Sequence, residues 1–256
     1  MKCHVKSITK SLLHALGYDM TRYPPNPRKG FHDICEANWR TIEFVSKYTM
    51  TSPERLDALI NAVKYTVNNS LQGDIVECGV WRGGSMLAVA KTLCELNCFD
   101  YDLYLYDTYS GMPEPTSYDI RMTGMQAIGK FEDLKIDKDS SDWCYADIED
   151  VKNTLSKTSY PQDKIKFIKG KVQDTLKRNS HNQIAILRLD TDWYESTKHE
   201  IEVSFPRLLD KGVLIIDDYG TWKGSKKAID DYFTTHDINT FLHRIDSTGR
   251  LMIKNT

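Results

Sequence analysis

The sequence has no long uninterrupted hydrophobic run, which argues against a protein anchored by membrane-spanning helices. A helix that crosses a bilayer needs about 20 consecutive apolar residues, and no stretch of the 256-residue chain approaches that length. The apolar run within residues 11–16 is short and is interrupted by polar side chains, unlike a secretion signal. We therefore expect a cytoplasmic protein that does not interact with membranes.

Charge of one sign is not in excess either. The chain has 34 Lys and Arg residues against 36 Asp and Glu residues, a formal net charge of -2. Without an overall positive field, the protein is not expected to bind nucleic acid. The hydrophobic content of 40% and the charged content of 27% are those of an ordinary globular chain.

Cysteine and histidine do not form the patterns of a zinc site or a disulfide framework. The 6 Cys residues include no Cys-x-x-Cys pair, and only Cys94 and Cys98 lie one helical turn apart. The 7 His residues include no His-x-x-x-His pair. These absences favour reduced thiols used as small core residues, as in a cytosolic protein.

Two nucleotide-binding motifs are absent from the turn that follows the first predicted strand. The stretch 77–85 reads Glu-Cys-Gly-Val-Trp-Arg-Gly-Gly-Ser, which matches neither Gly-x-Gly-x-x-Gly nor Gly-Lys-Ser/Thr. The first motif cradles the pyrophosphate of a dinucleotide, and the second defines P-loop NTPases. Here an acid, Glu77, stands just before the turn, which favours a ligand with ammonium or hydroxyl donors.

From residue 74 onward, strand-like and helix-like segments alternate. We predict strands at 75–78, 103–107, 165–168, 186–189, 213–216, 240–245 and 251–254, and helices at 85–96, from 147, near 174–176, at 194–209 and at 225–233. This order predicts an α/β fold: a Rossmann-like, doubly wound, mostly parallel seven-stranded sheet with an antiparallel C-terminal edge strand. Residues 1–50 are expected to form a helical and extended arm, and residues 51–256 a single domain.

The two acidic strand ends are the most informative feature that is present. One apolar run ends on Asp190, Thr191 and Asp192, and the next ends on Asp217 and Asp218. Since parallel strands present their carboxyl ends to one crevice, these carboxylates are expected to converge. Such crowding needs a cation or a retained proton, and oxygen ligands alone suit Mg²⁺, Ca²⁺ or Mn²⁺. The alternative is two unrelated junctions with solvated caps.

The end of the second predicted strand carries a further acid, Asp107. A carboxylate at this position commonly accepts the hydroxyls of a ribose, although it could equally cap the turn that follows. Together with Glu77 and Gly79, Asp107 fits S-adenosylmethionine, with the amino acid near the glycine turn and the adenosine near the second strand.

Four segments of the sequence resemble the macrocin O-methyltransferase (TylF-type) family. They are residues 73–84, 106–113, 187–197 and 216–220. The resemblance implies a class I methyltransferase fold, S-adenosylmethionine as donor, a divalent cation (usually Mg²⁺), and methylation of a hydroxyl on a sugar or glycosylated small molecule. It also implies a homodimer, with the N-terminal region acting as a lid over the acceptor.

The family motifs imply a role for each matching residue. The implied metal ligands are Asp190, Asp217 and Asp218, and the implied base is Asp190 or Asp192. The implied cofactor-binding residues are Glu77, Gly79, Gly83, Ser85, Asp107 and Asp147. Thr191 and Trp193 replace the glycine and leucine of many members, so the acceptor pocket is expected to differ.

Three points stay open from the residues. A nucleotide-dependent oxidoreductase uses the same architecture, although the missing third glycine and the preceding acid count against it. A non-catalytic cofactor-binding module would keep the sheet without needing the strand-end acids. Arg188 lies within an apolar strand, and we expect a buried carboxylate partner for it because an unpaired buried charge is costly.

Overall fold

The computed structural model describes residues 15–16, 28, 30–177 and 180–255. The chain divides into two compact units, residues 1–35 and residues 36–256. In the first unit, the Phe31 N–H donates to the Arg28 carbonyl and the Ile34 N–H donates to the Phe31 carbonyl, which forms two successive turns. Within the arm expected over residues 1–50, residues 1–14, 17–27 and 29 lie outside the described residues.

In the second unit, helices and strands alternate along most of the chain. The helices are α1 (Glu36–Val45), α2 (Pro53–Asn68), α3 (Gly84–Glu95), α4 (Ala127–Leu134), α5 (Ile148–Leu155), α6 (Val172–Thr175), α7 (Tyr194–Ser204) and α8 (Lys223–Thr235). The strands are β1 (Asp74–Cys78), β2 (Leu103–Asp107), β3 (Lys135–Asp137), β4 (Ser140–Ser141), β5 (Ile165–Lys169), β6 (Ile184–Leu189), β7 (Leu208–Ile216), β8 (His243–Arg244) and β9 (Arg250–Ile253).

Seven of these strands form one sheet in the order β5-β2-β1-β6-β7-β9-β8. The first five of that order are parallel, β9 is antiparallel to β7, and β8 is antiparallel to β9. The chain winds outward from β1 on one side and later from β6 on the other, so the strand order reverses between these two strands. Ligands bind outside the carboxyl ends of the strands at such a point. The predicted sheet, including its antiparallel edge, is confirmed.

The central strands β1 and β6 are buried because helices cover both faces of a parallel sheet. All six residues of β6 are buried, and so are the last four residues of β1. Among these buried residues the charged ones are Glu77 and Arg188, and the strand register places these two residues side by side. A charged pair therefore lies inside the sheet, next to its switch point.

Two helix starts follow from capping residues in the sequence. Ser52 precedes Pro53, and its hydroxyl accepts a hydrogen bond from the Arg55 N–H at 3.2 Å. Asp147 caps α5 in the same way and accepts from the Asp150 N–H at 2.9 Å.

Some predicted boundaries were wrong. The helix expected over 194–209 ends at Ser204 and is followed by a 3-10 turn (Phe205–Arg207), because Pro206 offers no N–H to continue the α-helical hydrogen bonds. The chain then enters β7 at Leu208. The strand expected over 240–245 is reduced to His243–Arg244. No helix or strand was predicted in the polar insertion (residues 109–141), but this segment contains α4 and the short β3–β4 hairpin.

The unit that contains the sheet begins at Glu36, earlier than the domain start expected at residue 51. Helix α1 contacts α2 and α3, which accounts for this earlier start. A lid function for the N-terminal region stays a prediction. None of the helices in the described ranges is both long enough and apolar enough to cross a membrane.

Candidate active site at the carboxyl ends of the strands

A cavity of about 1050 Å³ lies at the carboxyl ends of β1, β2, β6 and β7. Most residues that the sequence analysis assigned to the site line this cavity. They are Gly79, Ser85, Asp107, Asp190, Asp192, Asp217 and Asp218. The cavity wall does not include Glu77, Gly83 or Asp147.

The strand register explains why the acids converge. Leu189 at the end of β6 pairs with Ile216 at the end of β7, so Asp190 and Asp217 follow at the same level of the sheet. The Asp217 N–H donates to the Leu189 carbonyl at 2.9 Å, which continues the ladder. The carboxylates of Asp190, Asp217 and Asp218 each offer an oxygen, and these oxygens lie within 4.8 Å of one another.

Two arginines neutralise part of this charge. Arg188 is buried, and its guanidinium bonds to Glu77, to Asp217 and, at 2.8 Å, to Asp190. Burial alone would lower the pKa of Arg188, but the charges of these carboxylates outweigh burial and raise it. The expectation of a buried carboxylate partner for Arg188 is therefore confirmed.

The second arginine is Arg55, at the start of α2. It bonds to Asp217 and, at 3.0 Å, to Asp246 in the turn before β9. This residue was not predicted from the sequence. Its only local signal is the basic side chain two positions after the helix-starting proline, which does not indicate a partner 162 residues away.

Negative charge remains in excess within the acid cluster, which we define as Asp190, Asp192, Asp217 and Asp218. Burial raises the pKa of Asp192 to about 7, the charges of Asp190 and Asp217 add to this effect, and hydrogen bonds with Asp218 and Trp222 oppose it. Burial also raises the pKa values of Asp190 and Asp218. These shifts reflect burial and negative charge that the two arginines compensate only in part.

The donor chemistry of the cluster fits a hard divalent cation. Oδ2 of Asp218 is buried and has no hydrogen-bond partner among the described residues. Three carboxylates with an unsatisfied inward oxygen form an oxygen-only donor set, which suits Mg²⁺, Ca²⁺ or Mn²⁺ better than softer metals.

The glycine turn (residues 79–84) packs closely against protein on both sides. Gly79 has φ +84°, and a Cβ there would collide with the Asp190 carbonyl, 2.5 Å from its carbon. Gly83 has φ +80°, and a Cβ there would lie 2.8 Å from the Leu155 side chain and 2.9 Å from that of Val151 in α5. Both glycines are needed for conformation and for close contact between elements.

Glu77 and Ser85 lie beneath the turn and bond to each other. The Ser85 hydroxyl donates to Oε1 of Glu77 at 2.6 Å, and Glu77 is fully buried. Burial raises the pKa of Glu77, while Arg188 and Ser85 oppose the shift. Oε2 of Glu77 has no hydrogen-bond partner within the described part of the chain. Glu77 therefore does not line the cavity, but it positions Ser85, which does line it.

Asp107 connects the glycine turn to the loop that follows β2. Its Oδ2 accepts the N–H groups of Val80 at 2.6 Å and Trp81 at 3.1 Å, and its Oδ1 accepts that of Tyr109 at 2.7 Å. These are the contacts of a capping carboxylate. The side chain also accepts from the Thr108 hydroxyl at 3.4 Å and lines the cavity. Asp147, by contrast, is exposed and caps α5 outside the cavity.

Three tryptophans form one side of the cavity, and we call Trp143, Trp193 and Trp222 the aromatic wall. All three are buried, and their ring centroids are 5.0 to 6.1 Å apart. The guanidinium of Arg121 lies 5.2 Å from the Trp222 ring, and the ammonium of Lys130 lies 4.3 Å from the Trp143 ring.

Trp143, Arg121 and Lys130 were not predicted as site residues, because Arg121 and Lys130 lie in the polar insertion and Trp143 just after it, where no helix or strand was predicted. A usable signal was the spacing of Ala127, Phe131 and Leu134, which is helical and marks one face of α4. Ala127 and Phe131 are fully buried in the same cluster as the three tryptophans.

Thr191 and Trp193, the two departures from the family pattern, are both held by internal contacts. The Thr191 hydroxyl lies 2.8 Å from Ser196 Oγ and 2.8 Å from Oε1 of Glu200 in α7. Burial raises the pKa of Glu200 to about 8. The Trp193 indole N–H donates to the Pro113 carbonyl at 3.0 Å. Both residues also line the cavity, so they shape the wall that faces an acceptor.

The fold and the site together define a class I methyltransferase, the class whose methyl donor is S-adenosylmethionine. The sequence model of the Macrocin-O-methyltransferase (TylF) family matches residues 38–254. The chain belongs to this family and is an O-methyltransferase, as the sequence motifs indicated. The alternatives of an oxidoreductase and of a non-catalytic module are therefore not retained.

Among characterised relatives, the chain is 30% identical over 202 residues to the 8-demethyl-8-(2,3-dimethoxy-alpha-L-rhamnosyl)-tetracenomycin-C 4'-O-methyltransferase of Streptomyces olivaceus, covering 79% of this chain and 74% of that protein. It is 27% identical over 202 residues to the mycinamicin III 3''-O-methyltransferase of Micromonospora griseorubida, covering 79% and 76%.

Solved structures agree with this assignment. The O-methyltransferase NovP superimposes with a TM-score of 0.72 at 26% identity, covering 82% of this chain and 83% of that one. A calicheamicin methyltransferase, at 16% identity and a TM-score of 0.58, shares the fold over 85% of this chain and 91% of its own.

Proposed function

We propose that this enzyme transfers the methyl group of S-adenosylmethionine to a hydroxyl of a sugar or glycosylated small molecule, in a reaction that requires Mg²⁺ or another hard divalent cation. The observation that carries the proposal is the convergence of the Asp190, Asp217 and Asp218 carboxylates within 4.8 Å. The relatives named above support the sugar acceptor, since their names describe O-methylation of glycosylated compounds.

The cofactor is assigned to the half of the cavity at the ends of β1 and β2. Gly79, Ser85 and Asp107 line this half, and Asp107 stands at the end of β2, where a carboxylate commonly accepts the ribose hydroxyls. Glu77 and Gly83 do not line the cavity. Glu77 would contribute through its hydrogen bond with Ser85, and Gly83 through its close packing against α5. Asp147 would contribute by fixing the start of α5 rather than by direct contact.

The divalent cation is assigned to Asp190, Asp217 and Asp218. When bound, it would lower the pKa of the acceptor hydroxyl and orient its oxygen. Arg188 and Arg55 hold Asp217 between them, so this carboxylate is fixed before any ligand enters. Such preorganisation avoids the cost of rearranging charges during the reaction.

Asp192 is the better candidate for the base that receives the hydroxyl proton. Asp190 forms an ion pair with Arg188 at 2.8 Å, which reduces its ability to accept a proton. Asp192 has no guanidinium partner among the described residues and lines the cavity next to Asp218. The hydroxyl oxygen then forms a bond to the methyl carbon as the bond from that carbon to sulfur breaks, and S-adenosylhomocysteine leaves.

The test is methyl transfer from labelled S-adenosylmethionine to a panel of neutral and charged glycosides. We expect label in a glycoside when Mg²⁺ is present, no label in EDTA, and recovery when Mg²⁺ is returned in excess. Asp192→Asn should lower kcat by about 10²–10⁴ fold without weakening cofactor binding. The matched control is Asp231→Asn, an exposed carboxylate paired with Lys227. Full transfer in EDTA, or equal rates for both variants, would contradict the proposal.

A further inference from the structure

Four cations line the cavity, and they fall into two groups. Arg55 and Lys171 are paired with carboxylates, Arg55 with Asp217 and Asp246 and Lys171 with Asp139. Arg121 and Lys130 have no carboxylate within ion-pair distance anywhere in the described ranges. Both instead lie over rings of the aromatic wall.

Arg121 is the more constrained of the two unpaired cations. Its side chain is partly buried, and its Nε is fully buried with no hydrogen-bond partner among the described residues. Stacking on Trp222 at 5.2 Å stabilises the cation but satisfies none of its N–H donors. A buried N–H donor without a partner is costly, which suggests that a ligand completes the contacts of this side chain.

The backbone fixes Arg121 close to the acid cluster. Arg121 forms a β-bridge with Trp222 in the loop after Asp218. The Met122 N–H donates to the Thr221 carbonyl at 2.9 Å and reinforces the bridge. Trp222 and Asp192 both line the cavity, as Arg121 does. An acceptor that reaches Asp192, the residue that we assign as the base, therefore binds in the same cavity as the guanidinium.

The guanidinium of Arg121 favours a ligand that carries negative charge. A guanidinium binds the paired oxygens of a phosphate or carboxylate through two parallel hydrogen bonds. A neutral sugar needs no cation, and the acid cluster repels any anion that is not held elsewhere. The geometry points to an acceptor that carries an anionic group, either the phosphate of a nucleotide-linked sugar or the carboxylate of a uronic acid, bound by Arg121 with Lys130 alongside. This inference rests on the proposed sugar O-methylation and specifies its substrate class.

The test compares matched probes by titration calorimetry with S-adenosylhomocysteine and Mg²⁺ present, so that no reaction occurs. The probes are UDP-glucose and methyl β-D-glucuronide, each compared with neutral methyl β-D-glucoside. We expect at least one anionic probe to bind about 10-fold or more tightly than the glucoside, and the preferred probe identifies phosphate or carboxylate as the group. Equal or weaker binding of both anionic probes would overturn the inference.

Substitutions test which residues cause the tighter binding of anionic probes. Arg121→Gln should abolish it while leaving the affinity for the neutral glucoside within about 2-fold, and Arg121→Lys should retain part of it. Lys130→Gln should have a smaller effect because the side chain is exposed. The matched control is Lys227→Gln, which removes a cation that is already paired with Asp231 outside the cavity. Equal losses for charged and neutral probes, or for Arg121→Gln and Lys227→Gln, would overturn the inference.

Rates of methyl transfer distinguish a failure of this inference from a failure of the proposed function. If the enzyme with Mg²⁺ methylates neutral glycosides and Arg121→Gln leaves those rates and the charged-probe affinities unchanged, the inference fails and the proposed function stands. If no glycoside of either charge gains a methyl group with Mg²⁺ present, the proposed function fails, whatever the anion preference.

Discussion

At the ends of β1 and β2 the crevice is held mainly by contacts to the backbone, whereas at the ends of β6 and β7 it is held by ion pairs. In the first half, Gly79 packs directly on a neighbouring strand end and Asp107 accepts backbone N–H groups. In the second half, Arg188 and Arg55 hold the Asp217 carboxylate from two sides.

This difference predicts opposite sensitivities. The backbone half should tolerate changes of surface charge but not the addition of a single Cβ, because its elements approach within van der Waals contact. The ion-pair half should tolerate small changes of volume but not the loss of one charge, since removing one partner leaves the others buried and uncompensated.

The largest effect on stability is expected from Arg188→Met. The substitution keeps most of the side-chain volume but leaves Glu77, Asp190 and Asp217 without their shared cation. We expect the free energy of unfolding to fall by about 3–5 kcal/mol, measured by urea denaturation.

The control is Arg82→Met, which removes a half-exposed pair with Asp150, both side chains being 36% exposed. Such a pair contributes about 0–1 kcal/mol. If the two variants lost equal stability, the ion pairs would not distinguish this half of the crevice.

Gly79→Ala should have the next largest effect. The φ of +84° and the collision with the Asp190 carbonyl act together, and we expect a loss of about 2–3 kcal/mol. Gly129→Ala in α4 is the matched control because a Cβ there meets nothing within 4 Å. That change should stabilise α4 by up to about 1 kcal/mol. A neutral result at Gly79, measured by thermal or urea unfolding, would refute the role of close backbone packing.

Asp246 combines both kinds of contact and should give the smallest effect. It accepts the N–H groups of Thr248 and Gly249 and pairs with Arg55. Burial opposes these contacts, but together they lower the pKa of Asp246 to about 2. Because the folded-state pKa lies below the unfolded value of about 3.9, the contribution is present above pH 4 and is lost as the pH falls toward 2.

Asp246→Asn should therefore lower the free energy of unfolding by about 1–2 kcal/mol at pH 7. The difference from the unchanged protein should shrink steadily between pH 4 and pH 2. Unfolding curves collected across that range measure it directly. A difference that grows as the pH falls would have the wrong sign for this assignment.

The sequence allowed the class of fold and the acid cluster to be predicted, for identifiable reasons. Apolar runs that end abruptly on Asp190 and Asp217 indicate parallel strands, and parallel strands align their carboxyl ends. The sheet then places these residues at one level without further information. Helix starts such as Ser52 and Asp147 depend on hydrogen bonds to residues three positions away and are equally local.

What could not be predicted depends on contacts between remote segments. Arg55 reaches Asp217 across 162 residues and Asp246 across 191 residues, and no local pattern in the sequence indicates either pairing. Arg121 pairs with the loop of Trp222 through a single β-bridge. The glycines were correctly assigned to a turn, but the groups that they approach, a strand end and α5, are visible only in the folded chain.

Binding of a divalent ion by the acid cluster is the central claim, and Mn²⁺ titration followed by electron paramagnetic resonance tests it most directly. The intact enzyme should bind one Mn²⁺ per chain, displaced by excess Mg²⁺, and Asp218→Asn should weaken this binding by at least about 10-fold. Asp231→Asn should leave it unchanged. Equal Mn²⁺ affinity in Asp218→Asn and the intact enzyme, or no binding by the intact enzyme, would contradict the account.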